Sequence, residues 1–160
     1  MDELRFIELR ADVDNRVLEG TVVRYGDKAR IAGLFDEILE PDSLRWEDVI
    51  LNLQHDRAKP LARTEAGMQL TARDGVVSLR AEVAPTTYGN DALALVRSGV
   101  LRGFSVEMKV TEDRWSAGGT LRNIRKASLK GIGLVDKPAY PDSTISLRAK
   151  HLIRRPALWL

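Results

Sequence analysis

From residue 104 to 111 the chain alternates with a period of two. Phe104, Val106, Met108 and Val110 fall on one face of an extended segment, and Ser105, Glu107, Lys109 and Thr111 on the other. The pattern predicts a half-buried strand with a serine hydroxyl on its polar face, looking toward solvent or a groove. The same period runs through Met68, Leu70 and Ala72 and resumes after Asp74-Gly75 with Val77, Leu79, Ala81 and Val83, which predicts a β-hairpin closed by an Asp-Gly turn. Helical spacing stands out once. Ala92, Leu95 and Val96 share a face over 88–98, behind Thr86-Thr87 as N-caps and ahead of Gly99 as a C-terminal stop. This amphipathic helix feeds directly into the Ser105 strand.

Shorter apolar runs predict further strands at 6–9, 18–25, 34–39, 121–128, 132–135 and 144–148, and a strand-like run over 49–56 ends at His55-Asp56. The segment 41–48 reads as a loop or as a short helix anchored by Leu44 and Trp46. Many short strands bounded by turn residues indicate a mainly β (α+β) fold, a barrel or sandwich with one or two helices. At 160 residues the chain suits one domain, taken as 1–150, with a short basic and apolar tail at 151–160.

Composition narrows the function classes. The 25 basic and 23 acidic residues are interleaved and leave a formal charge of +2, so no clustered positive surface for nucleic acid is expected. With no cysteine there is no disulfide framework, thiol nucleophile or thiolate metal site, and a reducing compartment is expected. The two histidines, His55 and His151, offer no metal-ligand spacing, so neither metal nor cofactor is expected. The N-terminus lacks a signal-peptide core, and no apolar run approaches the roughly 20 residues of a membrane span.

Ser105 sits in Gly103-Phe104-Ser105-Val106-Glu107, half of a nucleophile elbow, and reads either as an exposed strand serine or as a nucleophile. His55 continues the Val49, Leu51, Leu53 face and reads either as a partly buried structural histidine or as an active-site base at the head of the polar loop 56–60. Gly131-Ile132-Gly133 lacks the third glycine and following helix of a dinucleotide fingerprint, and a close-packed strand accounts for it better.

Three blocks carry more: 52–64 (Asn-Leu-Gln-His-Asp-Arg-Ala-Lys-Pro-Leu-Ala-Arg-Thr), 88–105 ending in Arg102-Gly103-Phe104-Ser105, and 131–143 with Lys137-Pro138-Ala139-Tyr140-Pro141. In that order they resemble the prohead (procapsid) maturation serine proteases of tailed bacteriophages, which also occur in prophages and gene transfer agents and are distantly similar to the herpesvirus assemblins. The resemblance implies a closed or partly closed antiparallel β-barrel with peripheral helices. It also implies an endopeptidase inside the immature capsid, in the host bacterial cytoplasm. Its substrates would be scaffold, the N-terminal extension of the major capsid protein, and often itself, and assemblin kinship implies a dimer. The family nucleophile falls on Ser105 and the family histidine on His55. Oxyanion donors are expected around Val135, Asp136 and Lys137. Many relatives carry a glutamate where this chain has Gly131, which leaves the third catalytic member open. Asp136 is the first choice, against a loop-capping role. Glu107, Ser128 and a plain Ser-His dyad are the alternatives, and His151 is set aside. The rival functions are a catalytically silent capsid-assembly protein of the same fold and a cytosolic serine esterase.

Overall fold

The computed structural model describes residues 9–12, 16–31 and 33–136, the first of these segments by its backbone alone. In chain order the elements are β1 (Leu9–Asp12), β2 (Val17–Arg24), β3 (Lys28–Ile31), β4 (Phe35–Leu39), β5 (Leu44–Arg45), β6 (Ile50–Leu53), β7 (Pro60–Thr64), β8 (Gly67–Arg73), β9 (Val76–Glu82), α1 (Thr87–Arg97), β10 (Leu101–Trp115) and β11 (Leu121–Asp136). The strands join in one sheet of order β1-β2-β9-β8-β7-β6-β11-β4-β3, with β10 and β5 also paired to β11. The sheet curls into a half-barrel. Leu18, Leu51, Leu61, Leu101, Phe104, Ile132 and Leu134 are buried in its apolar interior, each worth roughly 1.5–3 kcal/mol against exposure.

The hairpin and the helix form where the pattern puts them. Asp74 and Gly75 take φ of 52° and 77° between β8 and β9, the left-handed pair that a two-residue hairpin turn requires. The Thr86 hydroxyl accepts from the Gly89 N–H at 3.0 Å, capping α1, and Gly99 follows the helix at φ 79°.

Two features depart from the expected antiparallel barrel. The sheet is mixed, because β11 is long enough to take β4, β5 and β6 in turn along one edge, all parallel, while β10 runs antiparallel along the other. The two strands expected at 121–128 and 132–135 are one. Glu107 pairs with Gly131 and Met108 with Leu129, so Lys130 is the extra residue of a bulge. The bulge moves the buried phase from Ala127 and Leu129 to Ile132 and Leu134, which in the sequence looks like a break. The segment 41–48 contains β5, with Trp46 packed on the core rather than a helix. The expected strand at 144–148 and the tail at 151–160 lie outside the described residues, as does most of 6–9.

Where β4, β10 and β11 meet, a charged cluster is sealed into the fold. Arg122 donates to Glu37 at 3.1 Å and to Asp113 at 2.7 Å, and its guanidinium lies 5.5 Å from the Trp115 ring centre. Trp115 in turn meets Phe35 edge-on. Burial pushes the Glu37 carboxyl up to about 7 despite Arg122. Among the described residues no helix is long and apolar enough to cross a membrane.

Candidate active site

Three strands lay down the floor of the site. On β10 and β11 Ser105 is the cross-strand partner of Gly133, and Glu107 of Gly131. On the other edge of β11, Asn52 of β6 is the parallel partner of Gly133, and Ile50 of Gly131. Laterally paired residues project to the same side of a sheet. One row therefore reads Ser105, Gly133, Asn52 and the next Glu107, Gly131, Ile50. Phe104, Val106, Leu51 and Leu53 point the other way, into the core. The period-two reading of β10 holds, but Ser105 does not look outward into solvent. It is 2% exposed.

His55 reaches this row by a turn. The strand ends at Leu53, and Gln54 and His55 take φ of 53° and 59° while Asp56 N–H donates to the Leu53 carbonyl at 2.9 Å, a tight reversal of the kind that usually carries Asn-Gly. Left-handed backbone costs a non-glycine residue roughly 1–2 kcal/mol, and such strain gathers at functional sites. Gln54 N–H donates to the Leu134 carbonyl at 2.9 Å, and Asp56 accepts from Ala58 N–H, which fixes the reversal against β11. His55 therefore leaves the Val49, Leu51, Leu53 face on which a continued strand would have kept it.

The imidazole comes to rest on Gly133. A Cβ built on that glycine would stand 2.6 Å from His55 Nε2 and Cε1 and 2.7 Å from Cδ2. Paired Cβ atoms on neighbouring strands lie about 4.5–5.5 Å apart, so the Nε2 edge of the ring occupies the position adjoining Ser105. On its other side Nδ1 is 3.2 Å from Glu107 Oε1. The second carboxylate oxygen, Oε2, lies 3.0 Å from where a Cβ on Gly131 would be. The two glycines are thus the clearance in which ring and carboxylate lie flat on β11, and the close-packed strand read from Gly131-Ile132-Gly133 is packed against the site itself. Exposure rises along the series, with side-chain values of 18% for His55 and 34% for Glu107.

A hydroxyl, an imidazole and a carboxylate in this order are suited to nucleophilic catalysis with a histidine base and an acidic orienting group. Asp136 sits elsewhere, exposed at the end of β11 opposite Leu101. Ser128 is half-buried beyond the Lys130 bulge, opposite Lys109. Val135 is opposite Gly103, while Lys137 and His151 are outside the described residues. Glu107 is among the alternatives the sequence offers for the third member, through the face it shares with Ser105; its partnership with His55 depends on the turn at 54–55. No group of three or more His, Cys, Asp or Glu side chains gathers among the described residues to hold a metal ion.

Comparison with known families matches the chain, over residues 5–155 of 160, to the caudovirus prohead serine proteases. The chain belongs to this family. No curated protein and no solved structure matches it. The matched range includes Ser105, His55 and Glu107 as well as the glycine pair beneath them. Among the described serines, Ser105 is the one whose cross-strand partner lies under the imidazole of the single described histidine.

Proposed function

We propose that the chain is the endopeptidase of capsid maturation, with Ser105 as nucleophile, His55 as general base and Glu107 as the group that orients the imidazole. The observation that carries this reading is the ring of His55 seated on Gly133 beside Ser105, with Nδ1 on Glu107. Glu107 takes the role that the resemblance leaves open and for which the sequence puts Asp136 first. His55 Nε2 accepts the Ser105 proton as Oγ attacks the scissile carbonyl, then returns it to the leaving amine as the C–N bond breaks. Water, deprotonated by the same nitrogen, releases the acyl group and restores the hydroxyl. Glu107 holds Nδ1–H throughout and stabilises the imidazolium. Backbone N–H groups near Val135 are the proposed oxyanion donors.

The substrates are capsid proteins of the immature particle: scaffold, the N-terminal extension of the major capsid protein, and the protease itself, acting with a second copy of the chain. Coexpression of the native chain or Ser105→Ala with its capsid protein, followed by intact-mass measurement, tests the reading. A capsid mass shortened only by the native chain is expected. Equal masses from both would mean a silent assembly protein, and ester hydrolysis without peptide cleavage would mean an esterase.

A further inference from the structure

The row that begins at Ser105 continues past Gly133 to Asn52. Leu51 and Leu53 on either side of it are buried in the core, so alternation sends Asn52 to the face on which the His55 ring lies. Asn52 is 8% exposed, and its Oδ1 is buried without a hydrogen-bond partner. Buried amide oxygens are nearly always satisfied, because the lost hydration is otherwise uncompensated. The ring on Gly133 therefore has Ser105 on one flank and an unsatisfied carbonyl dipole on the other.

We infer that Asn52 is a positioning residue for His55: it walls the imidazole in against Ser105 and offers the positive ring a preformed acceptor dipole. This rests on the catalytic reading above. A general base must start as the neutral ring, toward which Oδ1 gains little. When Ser105 yields its proton, the ring becomes a cation whose N–H and C–H edges all carry positive charge. A carbonyl oxygen already desolvated beside it stabilises that charge without reorganisation. The other groups around the ring leave this flank to Asn52. Glu107 approaches Nδ1 from β10, β11 presents only glycine at 131 and 133, and Ile50 is apolar. Asp56, next on the turn, is engaged with Ala58 N–H and lies 3.7 Å from Lys59 Nζ, and Arg63 of β7 is paired with Asp48.

Asn52→Leu keeps the branching at Cγ and removes the dipole, whereas Asn52→Asp keeps an acceptor oxygen. The His55 ring is titrated by NMR in the inactive Ser105→Ala chain with each residue at position 52, and kcat and KM for capsid-peptide cleavage are measured in the Ser105 chain. With Leu the proton affinity of the ring falls about tenfold and kcat falls with it while KM holds, and with Asp the affinity rises. Should Leu unfold the chain, Asn52→Ala carries the same titration. An unmoved His55 midpoint in a folded Leu or Ala variant overturns the inference. Because the titration needs no turnover, it separates this failure from failure of the protease reading, which would show as a native chain that cleaves nothing.

Discussion

His55 and Gly133 are related by exclusion: the imidazole fills the space that any side chain on residue 133 would need, with Nε2 and Cε1 2.6 Å from where a Cβ would stand. The ring cannot give way cheaply, because its backbone is locked in the reversal at 54–55 and tied to β11 through Gln54. Gly133→Ala should therefore displace the ring from Ser105 and lower kcat/KM by about 10²-fold or more, the scale on which a displacement of about 1 Å costs rate. Gly131→Ala should cost about tenfold at most. The one close contact of its new methyl is the flexible end of Glu107, at 3.0 Å, and the Ile50 carbonyl lies at an ordinary 3.7 Å. Peptide-cleavage kinetics beside thermal melts decide it, and equal activity in the two folded variants would contradict the steric account.

Glu107 and Asp136 make opposite predictions. With Nδ1 3.2 Å from Glu107 Oε1, Glu107→Gln leaves the imidazole without its anionic partner, and kcat should fall by about 10²-fold or more, short of the about 10⁴-fold of a buried triad acid because Glu107 is 34% exposed. Asp136→Asn, at an exposed strand end, should stay within about twofold of the native rate. A reversed order of the two losses would return the acidic role to Asp136.

Gly131 stands where a direction drawn from Cβ meets the Glu107 carboxylate, 3.7 Å from its carbon. An acid on β11 at that position can therefore deliver its oxygens to nearly the same spot from the neighbouring strand. Glu107→Ala should be strongly impaired, and adding Gly131→Glu should recover about tenfold or more of the loss. A double variant no better than the single one would show that the carboxylate must come from β10.

How far the site was legible depends on which contacts are local. Phe104, Val106 and Met108 announce β10 and the face of Ser105, because strand alternation is written in consecutive residues. Thr86 and Gly99 announce the ends of α1 for the same reason. The placement of His55 is not local. A pair of non-glycine residues at positive φ has no propensity signal here, since Gln54-His55 is not a favoured turn pair, and a run of apolar residues through Leu53 argued for a strand continuing past it. The bulge at Lys130 hid β11 by shifting its phase, and with β11 split there was no register from which to see Gly131 beneath Glu107. Parallel pairing of β4, β5 and β6 on β11 likewise depends on one long strand that the pattern showed as two.

The buried cluster far along the β10–β11 pair gives the protein a pH-dependent stability separate from its chemistry. Glu37 is 1% exposed, and burial outweighs Arg122 in raising its carboxyl from 4.5 to about 7. Between those values the folded chain holds a proton that the unfolded chain has lost, so stability falls as pH rises across the window and levels off above about 7. The change is on the order of 3 kcal/mol. Asp48 and Glu112, held below the usual carboxylate range by hydrogen bonds from Arg63 and Lys126, have finished titrating by the middle of the window and add nothing to its upper half. Urea denaturation at intervals from pH 5.5 to 8 should show the native midpoint declining toward pH 7, with the decline in Glu37→Gln smaller by the Glu37 contribution. Gln keeps an acceptor for the Arg122 guanidinium but has no proton to lose, so an unchanged slope in that variant would assign the pH dependence to another group.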